Sequence, residues 1–339
     1  EFTKDYHERT ELVAYRFFFG VVGGILMGIF VFTVIFSNDP ASPGGILDAS
    51  GYLEYAAIAA PLMALAIFVS TIGTHGRISS LVEPPVVRQN FWRTVKEMAS
   101  TLFDRTNAPI LVGSIFGSMA GGLNAALTIY MQTYFWELTA DMIALLAASG
   151  LLGVALAFVV VLPVSKMFGK KRTTLALYTV TLVGVVAPVI LRLVGLFPDN
   201  GSPVLVPILF AFMTVVAMAV VTASILVASM VADVTDQILL KTGRQSEGLI
   251  FSATTFVGKT VSGMGVLVSG LILTLVGFPE GAKPGAVDIA IVHDLAFWFA
   301  LATLVFTSIA LVIMSFYPVT EDDHRNAVEE IARQRAAES

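Results

Sequence analysis

There is no cysteine in the 339 residues. Disulfides, thiol nucleophiles and thiolate metal sites are excluded with it. Charge is scarce as well. Asp, Glu, Lys and Arg make up 13% of the chain, against about 25% in an ordinary soluble domain. His7, His75 and His324 fall outside the apolar runs and His293 stands at the edge of the last one, so a histidine metal centre is not expected. What remains contains no nucleophile–histidine–acid group, no metal-ligand spacing and no phosphate loop. The chain is therefore read as neither an enzyme nor an ATP-driven pump. A net charge of −5 offers no basic surface for nucleic acid. The opening EFTKDYHERTELV has neither an initiator Met nor a signal-peptide pattern. The expectation is a chain that lacks at least one helix at its front.

What is abundant is apolar surface: 56% of residues are hydrophobic and the mean hydropathy is +0.83. Such a chain reads as a polytopic all-α membrane protein. Eight apolar runs stand out, at 12–36, 52–72, 108–133, 141–164, 173–197, 203–231, 248–278 and 293–317. At 1.5 Å per residue each is long enough for a hydrocarbon core of about 30 Å. The first run carries Gly20, Gly24 and Gly28 at four-residue spacing, a pattern that lets helices approach closely in lipid. Ser37 to Gly51 is turn-like, rich in Pro, Gly and Asp. The longest polar segment, 73–107, contains Phe91, Trp92, Val95, Met98, Ala99, Leu102 and Phe103 at helical spacing, with Arg93, Lys96, Glu97 and Asp104 opposite. It predicts an amphipathic surface helix. SKMFGKKR reads as a short basic turn between the fourth and fifth runs, and 318–339 as a charged, helix-prone tail.

With the N-terminus inside, inside segments hold sixteen of the twenty Lys and Arg, and Lys283 alone lies in an outside loop. That asymmetry sets an orientation with both ends of the chain cytoplasmic. The long basic segment leaves two spans before it and six after. Six spans joined to another group by a long inside loop is the organisation of the major facilitator superfamily, whose two halves rock about a midplane site. On that count 1–72 holds the last two helices of a first bundle, 73–107 the inter-bundle loop, 108–317 a six-helix second bundle, and 318–339 a tail.

One lysine interrupts the apolar pattern. Lys259 lies about 16 Å along the seventh run at 1.5 Å per residue, near mid-bilayer, where a charge is costly and marks function by default. Ser252, Thr255 and Ser262 share its helix face. Either this stripe meets a wet cavity and a polar solute, or Lys259 snorkels to an interface. No other span offers a mid-membrane acid, so a partner would be the solute or an element in front of this chain. On the third run Gly113, Gly117, Gly121, Asn124, Thr128 and Gln132 follow one face; the amides would line a solute path or tie helices together. Tyr130 and Trp136 read as an aromatic belt and Arg192 as an interfacial anchor. Asp233, Asp236, Arg244, Lys170, Lys171 and Arg172 fall at inside turns. They would latch two halves in one state and release them in another, or simply set topology.

Three stretches carry a resemblance: DYHERTELVAYRFFFG (5–20), ADVTDQILLKTGRQSEGLIFSATTFVGK (232–259) and FYPVTEDDH (316–324). They resemble, in order, the turn between helices four and five, the turn between helices ten and eleven with the start of helix eleven, and the exit from helix twelve of the glycoside–pentoside–hexuronide:cation symporters. This is the melibiose-permease-like branch of the major facilitator superfamily. The resemblance implies that the eight runs are helices five to twelve of twelve, and that Arg16 stands near the family's arginine, with an interfacial anchor as the other reading. It also implies a lysine at Lys259 that affects solute or cation handling. The family's acid soon after the second aspartate of the ten–eleven turn is absent here; Gln237 and Ile238-Leu239-Leu240 occupy that place. The family's cation-binding acids lie mainly in the first third of the fold. The expectation is therefore no cofactor, with a coupling Na⁺ or H⁺ bound outside this chain.

The reading is a secondary active transporter in a bacterial inner membrane. Its partners would be the bilayer, a small polar solute, sugar or glycoside, and the missing N-terminal helices of the same protein. A lipid or lysolipid transporter and a non-transporting membrane scaffold are the alternatives.

Overall fold

The computed structural model describes residues 19–20, 22–36, 49–76, 107–242 and 247–318. Every regular element among them is helical, in chain order α1 (Val22–Ile35), α2 (Ala49–His75), α3 (Ala108–Phe135), α4 (Ala140–Phe168), α5 (Lys170–Leu193), α6 (Leu205–Thr242), α7 (Glu247–Leu275) and α8 (Ile289–Ser315). All but α1 are apolar over a length that crosses a membrane; the described part of the first run is shorter. Pro61, Pro163 and Pro188 lie inside helices, which lipid-embedded helices tolerate because neighbouring groups re-satisfy the backbone. The chain is an all-α integral membrane protein. The amphipathic segment at 91–103, Arg16, Arg244 and the tail from 320 onward lie outside the described residues.

Two helix ends differ from the sequence reading. The expected basic turn SKMFGKKR is a break of one residue. Gly169 adopts φ +74° with ψ 155°, a backbone conformation open to glycine that no helix can continue through. Its N–H donates to the Ser165 carbonyl at 2.9 Å and its carbonyl accepts from Thr173 at 3.1 Å. Lys170, Lys171 and Arg172 therefore form the first turn of α5. Likewise α6 continues to Thr242, well past the end of its apolar run, so Asp233 and Asp236 lie on a helix and not on a turn. No Gly or Pro interrupts the sequence between Pro207 and Gly243, so nothing stops the helix earlier.

The chain divides into two compact units. One comprises residues 1–89 and 138–151, the other 90–137 and 152–339. In the first, Phe36 packs its ring on Tyr52 with centroids 4.9 Å apart, and Ile25 of α1 abuts Gly150 of α4. Gly20, Gly24 and Gly28 face no described neighbour within 4 Å. Most of α2 is exposed, Leu53 by 75% and Ile72 by 73%, a surface suited to lipid rather than water.

In the second unit α3 lies along α7 and α8, and α5 lies along α6 and α8; α3 and α6 make no comparable contact with each other. The four helices α3, α8, α5 and α6 thus form an arc with one open side. At the end bearing Lys170, here the basic end, Ile110, Met230, Val231, Val234, Ile250, Met314 and Tyr317 form one buried cluster that draws the arc together. The tightest helix approach is between α3 and α7. A Cβ on Gly122 would overlap the Ser262 carbonyl, 2.8 Å from its carbon, and one on Gly265 would fall 2.7 Å from the Leu123 nitrogen. Only glycine admits such a crossing.

Candidate functional site

The arc encloses a cleft of about 510 Å³. Its walls are α3 and α6 and its back is α5 and α8; α7 contributes no lining residue among those described. On the α3 wall stand Ser114, Gly117, Ser118, Gly121, Asn124, Thr128 and Gln132. Facing them are Thr181 of α5, Ser224 of α6, and Thr303 and Thr307 of α8, set among Tyr178, Phe212, Phe299 and aliphatic side chains. None of the described lining residues is charged. A mostly apolar wall with a few fixed hydroxyls and amides is the usual character of a small-molecule site.

Aromatic side chains stand at both ends of the cleft. At the basic end Tyr178 packs on the buried cluster. At the opposite end Trp136, 5% exposed, packs on Phe197 at 5.4 Å, which in turn meets Phe212 at 6.4 Å. α3 and α6, which flank the cleft, are not packed on one another.

The far end of α3 is unusual. Residues Met131–Phe135 form a π turn, closed by the Trp136 N–H to the Met131 carbonyl at 2.9 Å. Such turns widen a helix by one residue and redirect the side chains beyond it. Here the wide turn puts Met131, Gln132 and Trp136 on the cleft. Two loops hold it. The Tyr134 hydroxyl donates to the Ala282 carbonyl at 2.7 Å, and the Asn200 amide donates to the Phe135 carbonyl at 3.1 Å. Phe278 stacks edge-on against both Tyr134 and Tyr130, so Tyr130 serves loop packing. Arg192 pairs with Asp199 in the loop after α5.

The structure thus brings Asn124, Thr128 and Gln132 onto one cleft. It does not bring Lys259, Ser252, Thr255 or Ser262 there. Lys259 is exposed on α7 and its ammonium bonds no described residue. Thr255 and Ser252 are exposed too, and the Ser262 hydroxyl donates to the Lys259 carbonyl at 2.8 Å. Thr303 and Thr307 are not among the residues that the sequence singles out. The signal was there: two threonines four apart, with Phe299 another four back, form a stripe on an apolar span.

The charged groups split. Lys170 Nζ grips both carboxylate oxygens of Asp233, at 2.7 and 2.8 Å, joining α5 to α6 inside one unit. Lys171 donates to the Tyr317 carbonyl at 2.7 Å, just past α8. Arg172 is exposed, and the side chain of Asp236 lies outside the described set. Asp233 is only 6% exposed, so Lys170→Met is expected to remove a charge-assisted tie between α5 and α6 and to cost about 2 kcal/mol in thermal unfolding. Arg172→Met should be silent, and Asp233→Asn added to Lys170→Met should recover part of the loss. An unfolding midpoint unmoved by Lys170→Met would show the pair to be superficial.

Residues 1–321 match the family described as MFS/sugar transport protein. The chain belongs to this family. Among curated proteins it is 27% identical over 239 residues to the uncharacterized symporter YjmB of Bacillus subtilis (strain 168), a match covering 67% of this chain. The chain spans about half the length of that relative, 47% of which is matched. The resemblance read from the three motifs and the family match agree. This MFS chain is a helix bundle embedded in the membrane and in contact with lipid.

Proposed function

We propose that the protein is a secondary transporter. It moves a small, neutral, polar solute, a sugar or glycoside, by alternating access coupled to Na⁺ or H⁺. The cleft of the second unit would be one wall of the solute path. The observation that carries this reading is the lining: hydroxyls and carboxamides set among aromatic rings, with no charge among the described residues. Sugars are bound by that combination, through hydroxyl pairing and stacking on ring faces. The relative's designation as a symporter supports coupling. Lys259 is exposed on α7 and its ammonium has no partner among the described residues. In this proposal it meets the solute or an acid from another element. Lys170, Lys171, Arg172, Asp233, Asp236 and Arg244 would stiffen or latch the inside face.

A lipid or lysolipid cargo would need a cation beside the cleft for its phosphate, and none of the described residues supplies one to the lining. The test is uptake of radiolabelled neutral sugars into membrane vesicles carrying the protein, with and without imposed Na⁺ and H⁺ gradients. Gradient-driven uptake of a neutral sugar is expected, reduced roughly tenfold or more in Lys259→Ala. Uptake unchanged in Lys259→Ala would remove that lysine from the mechanism, and uptake of lysolipid but no sugar would replace the reading.

A further inference from the structure

The polar hydrogens of the cleft are unevenly committed. Asn124 Nδ2 donates to the Ala120 carbonyl at 2.8 Å and to Thr303 Oγ1 at 3.3 Å. A backbone carbonyl can only accept, so the nitrogen and not the oxygen of the carboxamide must face Ala120. Both amide hydrogens are then committed, and Oδ1 has no partner among the described residues. Two further hydroxyls of the lining are used in the same sense. Thr128 donates to the Asn124 carbonyl at 2.5 Å, and Ser224 donates to the Val220 carbonyl at 2.8 Å. Each keeps lone pairs and has no hydrogen left to give. Pro188 and Gly184 both line the cleft. Pro188 has no N–H to offer the Gly184 carbonyl four residues before it, so another acceptor is released there.

We propose that Asn124 meets the solute only as a hydrogen-bond acceptor, that Thr303 is the positioning residue that keeps it so, and that the cleft thereby selects solutes presenting a hydroxyl donor at this level. The proposal rests on the cleft being part of the solute path. A hydroxyl donates to Asn124 Oδ1 and is satisfied. A fluorine or an ether oxygen at the same place sets lone pair against lone pair, and a carboxylate adds charge repulsion without a cation in the described lining. Sites built around a hydrogen bond reject analogues that cannot make it more strongly than sites built on shape alone.

Thr303 gives the idea its test. Thr303→Val withdraws the acceptor of one amide hydrogen and releases an N–H into the cleft, whereas Thr303→Ser keeps the hydroxyl. Vesicles carrying the protein are assayed with radiolabelled D-glucose, D-galactose and D-xylose. The sugar taken up is then compared with its singly deoxyfluoro and O-methyl analogues. At one hydroxyl position the acceptor-only analogues should compete roughly tenfold or more weakly than the parent. Thr303→Val should shrink that gap to about threefold or less, and Thr303→Ser should preserve it. Asn124→Leu, which removes the acceptor, should make parent and analogues equal, and it serves if Thr303→Val fails to fold. A gap that survives Thr303→Val and Asn124→Leu unchanged, or no gap at any position, overturns the proposal while leaving the solute path intact. Absence of uptake for every sugar would overturn the path and the proposal together.

Discussion

Gly122→Val is expected to abolish the folded protein. The Cβ it adds would overlap the Ser262 carbonyl and lie 3.0 Å from the Cα of that residue. These are backbone atoms of α7, so no side chain can turn aside to make room. The helices would have to separate, and with them the reciprocal contact of Gly265 on Met119 and Leu123. Overpacking at a well-filled contact costs about 1–3 kcal/mol and more where the backbone must move. For a crossing held by close van der Waals approach, with no water-driven force between helices, that loss is large. The measurement is the monodisperse yield in detergent, by fluorescence-detected gel filtration, together with the unfolding midpoint. Normal yield and midpoint would show that α3 and α7 do not cross here. Gly265→Val should fail in the same way.

The neighbouring glycine should behave in the opposite sense. Gly121 lines the cleft, and a Cβ there meets no heavy atom within 4 Å. Gly121→Leu should therefore fold with ordinary yield while filling the space in front of Asn124. Uptake should fall roughly tenfold or more, as when a contact worth about 1.4 kcal/mol is displaced. Gly117→Leu, also open to the cleft, should do the same. A folded Gly121→Leu protein with full uptake would place the solute elsewhere. Two adjacent glycines, one failing in folding and the other in transport, separate the scaffold from the site without changing any polar group.

That contrast also marks the limit of reading the sequence. The four-residue spacing of Gly113, Gly117 and Gly121 was legible, and with Asn124, Thr128 and Gln132 it defined the face that became the cleft wall. The spacing could not say what that face meets. Gly113 packs on Met314, Gly117 and Gly121 face open space, and the closest approach falls to Gly122, about 100° around the helix. A small-residue ridge exists on any face, and only the partner decides its use. Lys259 is the converse case. Its cost in lipid singled it out, yet its surroundings depend on elements that periodicity within one helix does not fix. Seven of the eight expected spans are long apolar helices among the described residues, and they were legible because length and apolarity are local properties. The extension of α6 through Asp233 was legible in principle, since no breaker precedes Gly243, but a cluster of charge after an apolar run suggests a turn.

The bracing of the second unit has a mechanical consequence. At the basic end Lys170 with Asp233 and Lys171 with the Tyr317 carbonyl tie α5, α6 and α8; at the other end Tyr134 and Asn200 fasten the wide turn of α3 to two loops. Between these ties α3 and α6 are not packed on one another. A frame clamped at both ends and free at its waist yields by bowing in the middle. Cargo of different girth would be taken up by a small flexing of α3 against α6, while the ends, and whatever they are joined to, keep their place.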